Sequence, residues 1–113
     1  MSDNLILSVE GMLKAYPMKK DKSDMYIICY NLLHFSYEKG LLLKSPFKED
    51  GQLNAEIVIR ESDLTIMGKR IFNDLMYDWL NYTSNTSGRI DRKNNLKMLE
   101  KYYNQLLQKT DRS

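Results

Sequence analysis

Apolar positions along the chain repeat with two different periods, and the period changes twice. Residues 4–16 place Leu5, Val9, Met12, Leu13 and Tyr16 three or four apart, which predicts a helix with Asp3 at its N-cap. Pro17 ends that helix, and Met18–Ser23 reads as a charged connector. A second helix follows over Asp24–Lys39. Ile28, Leu32 and Phe35 form one of its faces, and Tyr26, Tyr30, Leu33 and Tyr37 form the adjacent one. A helix apolar over so much of its circumference belongs at the centre of a fold. Gly40 fits the left-handed position that closes it.

The period then changes to two. Leu41–Leu43 predicts a short strand, and Ser45–Gly51 is turn chemistry in which Asp50-Gly51 suits positive φ. Leu53, Ala55, Ile57 and Ile59 alternate with Asn54, Glu56, Val58 and Arg60. The pattern predicts a two-stranded antiparallel hairpin over Leu41–Arg60, which must lie against helices because two strands alone are marginal in water. After Asp63 the helical period returns, with Thr65 as N-cap and Gly68, Ile71, Phe72, Leu75, Met76 and Trp79 as a buried stripe. Thr83–Gly88 reads as a polar loop. Asp91 is the expected cap of a last helix whose Leu96, Leu99, Tyr103, Leu106 and Leu107 face inward, with fraying from Thr110. The expectation is one mainly helical α+β domain over residues 1–113, four helices and one hairpin in the order α-α-β-β-α-α.

Composition narrows the chemistry more than the fold. An apolar fraction of 42% excludes a disordered tail, and no apolar run is long enough for a membrane span. The first ten residues carry no positive segment before an apolar one, so no signal peptide is read, a cytoplasmic location is expected, and Cys29 should stay reduced. One cysteine and one histidine, His34, can build neither an intramolecular disulfide nor a Cys/His zinc cage. The five glycines stand isolated, so there is no phosphate-cradling loop. His34 reads as a core or edge histidine hydrogen-bonded to a tyrosine, and Cys29 as a small buried hydrophobe elsewhere on the helix cylinder, so the two form no nucleophile–base pair. No catalytic residue, cofactor or metal is assigned.

The net charge of +2 hides a segregation. Residues 48–63 hold five acids (Glu49, Asp50, Glu56, Glu61 and Asp63) against Lys48 and Arg60, a net of −3. Residues 89–113 hold seven basic and three acidic side chains, a net of +4. A partner would feel these two local fields more than the sum.

Two resemblances bear on function. The run Glu56–Phe72, a strand followed by Leu64-Thr65-x-x-Gly68 and a helix reaching Trp79-Leu80, resembles the wing-to-helix passage of winged-helix transcription regulators. That resemblance implies duplex binding, for which Arg89, Arg92, Lys93, Lys97 and Lys101 are the available cations. Against it, the helix that would enter the major groove carries near its end only Glu38 and Lys39 as charges. Over roughly residues 25–107 the chain also resembles the small immunity proteins of bacterial contact-dependent growth inhibition systems, on its strand, Ser62-Asp63-Leu64-Thr65, helix, Trp79-Leu80 and Leu/Lys-rich last helix. This resemblance implies a cytoplasmic inhibitor that binds a cognate toxin domain and needs no catalytic residue. Glu49, Asp50, Glu56, Glu61 and Asp63 would then meet the basic cleft of a nuclease, with Tyr26 and Tyr37 as apolar anchors.

Overall fold

The computed structural model describes residues 3–15, 19–84 and 91–111. Its elements are strand β1 (Leu5–Ser8), helix α1 (Val9–Lys14), helix α2 (Lys19–Glu38), strand β2 (Val58–Arg60), helix α3 (Ile66–Ser84) and helix α4 (Leu96–Asp111). Short 3-10 turns at Glu61–Asp63 and Arg92–Asn94 precede α3 and α4. Among the described residues the architecture is therefore mainly helical α+β, with four helices and one two-stranded antiparallel sheet.

The sheet is not the expected hairpin. β1 pairs with β2 across some fifty residues, Leu7 opposite Ile59 and Ser8 opposite Val58, with an irregularity between Leu5 and Leu7. Leu5–Ser8 thus leaves the predicted first helix. Its buried Leu7 packs into the same core as Ile59 and Val9, a long-range partner that local helical spacing cannot announce. Ser8 takes the N-cap role, its Oγ accepting from Gly11 N–H at 3.1 Å. Asp3 instead accepts from the Ser62 N–H (2.9 Å) and hydroxyl (2.6 Å). The ends of that predicted helix at Tyr16 and Pro17 lie outside the described residues.

Between α2 and α3 the chain forms two isolated bridges, Leu42 with Leu64 and Phe47 with Leu53. The turn itself is as expected. Gly51 has φ +84°, and Lys48 N–H donates to the Gln52 carbonyl at 2.8 Å. Pairing stops there because Asn54 accepts the Glu56 N–H on its side chain and the Ile57 N–H on its carbonyl, turning the strand aside.

Helix α2 starts at Lys19, so residues 19–23 are helix and not connector. Its end is a Schellman motif: Leu41 N–H donates to the Ser36 carbonyl (2.9 Å) and Gly40 N–H to that of Tyr37 (3.1 Å), with Gly40 at φ +74°. The next helix is built onto this end. Thr65 N–H donates to the Leu41 carbonyl (3.0 Å), Thr65 Oγ1 donates to the Gly40 carbonyl (2.8 Å), and the same oxygen accepts from Gly68 N–H (3.0 Å) as the expected N-cap.

The predicted stripe of α3 is buried throughout, and α2 packs against α1, α3 and α4. Trp79 is fully buried, and its Nε1–H donates to the Ile28 carbonyl at 3.0 Å, pinning α3 on α2. On α4, Leu99 and Leu106 are buried, but Leu96 is half exposed. Asp91 does not cap α4: its carboxylate holds Lys93 and Asn94 in the preceding turn. Thr83 and Ser84 still belong to α3, and Thr110 to α4, where its hydroxyl donates to the Leu107 carbonyl. The remainder of the expected polar loop lies outside the described residues.

Candidate functional site

Cys29 and His34, the side chains weighed as nucleophile and base, both lie on α2 but in different settings. Cys29 is buried, which pushes its thiol up to about 12, so it is a neutral, inert side chain at physiological pH. His34 is exposed and not core. Its ring stacks on Tyr30 (centroids 5.8 Å apart, planes at 5°), and its Nε2 lies 3.8 Å from Glu38. Among the described residues no three His, Cys, Asp or Glu side chains gather as a metal site. No described helix is long and apolar enough to cross a membrane.

The five acids of the 48–63 segment all lie on the connection between α2 and α3 and divide into three groups. Glu49 and Asp50 are exposed at the tip of the 47–53 turn, where Asp50 Oδ1 accepts from Gln52 N–H at 3.0 Å. Glu56 and Asp63 meet at a shallow cleft of about 380 Å³ whose wall also includes Lys44, Val58 and Arg60. Glu61 is exposed, and its Oε2 accepts from the Asn4 amide at 3.3 Å. Asp63 is neutralised locally, Lys44 Nζ at 3.2 Å and Arg60 N–H at 2.8 Å. Glu49, Asp50, Glu56 and Glu61 make no ion pair among the described residues. Their field is therefore directed to solvent.

The two tyrosine anchors separate. Tyr26 is half-buried, and its hydroxyl accepts from Leu53 N–H at 3.1 Å, bracing the turn that carries Glu49 and Asp50. Tyr37 is exposed at the far end of α2 and does not line the cleft. The exposed side chains of Leu43 and Ile66 flank the Leu42–Leu64 bridge. Sequence spacing does not single them out because each reads as part of an apolar element; the long-range bridge buries Leu42 and Leu64 and leaves Leu43 and Ile66 outside.

Several basic residues are spent inside the molecule. Arg92 lies 4.8 Å over the Tyr82 ring and donates to the Tyr82 carbonyl (3.3 Å). Lys93 bonds Asp91 at 2.9 Å and approaches Asp24 at 3.9 Å. Lys97 and Lys101 are exposed on α4, and Arg89 lies outside the described residues. The chain matches no family model, no curated protein and no solved structure.

Proposed function

We propose that this chain is a cytoplasmic immunity protein that binds a cognate toxin domain and blocks it by covering its substrate surface, acting by association and not by catalysis. The observation that carries this reading is the acidic connection between α2 and α3. Four exposed carboxylates on one connection (Glu49, Asp50, Glu56 and Glu61) lack ion pairs among the described residues. Such a field speeds encounter with a basic surface and opposes encounter with an acidic one. A nuclease cleft, which must bind a polyanion, is a basic surface. Tyr37 and Leu43 offer exposed apolar area at the margins. The duplex-binding alternative draws less support, because Arg92 and Lys93 already have internal partners.

The test begins with gene neighbourhood: the reading requires a large secreted toxin gene immediately upstream, and its absence counts against the reading. With the C-terminal domain of that toxin in hand, the variant Glu49→Lys, Asp50→Lys, Glu56→Lys, Glu61→Lys should associate at least about tenfold more slowly at low salt. An unchanged association rate would overturn the electrostatic basis of the proposal.

A further inference from the structure

The outer edge of β2 lies in the wall of the cleft that Glu56 lines. Val9 N–H donates to the Ile57 carbonyl (3.2 Å) and Glu61 N–H to the Asn4 carbonyl (2.9 Å), with Leu7 opposite Ile59. Residues 57, 59 and 61 thus turn their backbone groups toward β1. By the alternation of a pleated strand, Val58 and Arg60 turn theirs away from it. Arg60 N–H is closed off by the Asp63 carboxylate at 2.8 Å. The Val58 N–H and C=O have no partner among the described residues, and Val58 forms part of the cleft wall, with Lys44 and Ser45 also lining the cleft.

We infer that this cleft receives an extended, basic segment of the partner, which adds to β2 by exchanging both backbone hydrogen bonds with Val58 while a Lys or Arg of the segment meets Glu56. The inference rests on the immunity reading for the identity of the partner and deepens it to a mode of contact. Three observations favour this occupant. The open pair on Val58 is the contact that strand addition uses, and main-chain bonds of this kind tolerate many sequences. The cleft of about 380 Å³ suits a short stretch of chain and not a helix. Lys44 is paired with Asp63 at 3.2 Å, and the Arg60 guanidinium, which has no ion pair among the described residues, extends to the Asp3 carbonyl at 3.3 Å just before β1; Glu56 is the lining carboxylate without an ion pair among the described residues. Closure of Arg60 N–H by Asp63 limits the addition to one residue pair and guards the rest of the edge against self-association.

The probe is a synthetic eight-residue peptide of alternating valine and lysine, titrated into the full chain labelled with nitrogen-15. Binding near about 1 mM is expected, the weak end of specific association. Amide shifts should centre on Val58 and on residues 44–45, and exchange of the Val58 N–H should slow about tenfold at saturation. The same peptide methylated at alternate backbone nitrogens, so that its edge cannot pair, should produce none of this. The Glu56→Gln chain should bind the lysine peptide about threefold more weakly. No response at Val58, shifts centred elsewhere, or equal binding of the methylated peptide would overturn strand addition. If Val58 stays silent while charge reversal still slows toxin binding, only the mode of contact fails. If Val58 pairs with the peptide but the neighbouring toxin is not bound, the immunity reading fails and the strand site stands.

Discussion

Gly68 sits where the first turn of α3 meets the backbone that closes α2, and a methyl group built there would overlap the Leu41 carbonyl. That oxygen already accepts from Thr65 N–H, so it cannot move away without breaking the junction. Gly68→Ala should therefore cost about 2 kcal/mol or more, although alanine is the better helix former, measured as the shift in a urea unfolding curve. Ser36 is the opposite case. Its hydroxyl is buried in α2 with no hydrogen-bond partner among the described residues. Ser36→Ala should raise stability by about 1 kcal/mol, because a desolvated and unpaired hydroxyl is removed. A loss in the same unfolding experiment would show that the hydroxyl is satisfied. The Gly68 stripe position was legible from helical spacing. The reason it must be glycine was not, since the atom it avoids lies 27 residues earlier.

At the scale of elements, the end of α2 and the start of α3 form one joint. Thr65 Oγ1 serves both sides of it, accepting from Gly68 N–H and donating to the Gly40 carbonyl. Thr65→Ala should cost about 1–2 kcal/mol, the upper part of the range for a lost N-cap, because two bonds are lost together. Thr65→Ser should recover most of it, checked by thermal and urea unfolding of both variants. The cap was readable from Thr65 preceding the α3 stripe. The first helix begins later than its spacing predicts for a physical reason: Leu5, Val9, Met12 and Leu13 satisfy a helical spacing, while Leu5 and Leu7 also satisfy an alternating one. Pairing with Ile59 decides between them, and Ser8 divides the strand from the helix.

At the scale of the whole molecule, charge governs both stability and encounter. The carboxyls of Asp3 and Asp91 are held below their ordinary value by hydrogen bonds, from Ser62 in the first case and from Asn94 and Lys93 in the second. Glu10 is held down by Lys14. A carboxylate whose value is lowered in the folded chain stabilises it above the unfolded value, and this contribution is lost as pH falls through the folded value. Stability should thus be level from neutral pH to about pH 5 and decline below about pH 4. Asp3→Asn should reduce that decline, followed by urea midpoints between pH 7 and pH 2.5; an unaltered decline would remove the Asp3 contribution. The acidic segment was legible as a sequence cluster. Which of its members remain without a counter-ion was not, because Lys44 reaches Asp63 only through the path of the chain after Gly40.

The sequence by itself determined the helical class, the buried stripe of α3, the central place of α2 and the residues that close and open those helices. These are local matters of period and backbone chemistry, written within a few turns of chain. The tertiary structure decided the sheet, since β1 and β2 lie some fifty residues apart and each is too short to announce its partner. It also decided that the Asp50-Gly51 turn carries a single bridge instead of a hairpin, and that the cleft beside Val58 joins Glu56 to an open backbone edge. Long-range pairing redistributes hydrogen bonds and counter-ions among residues whose own spacing is silent about them, and the proposed binding surface is made of those residues.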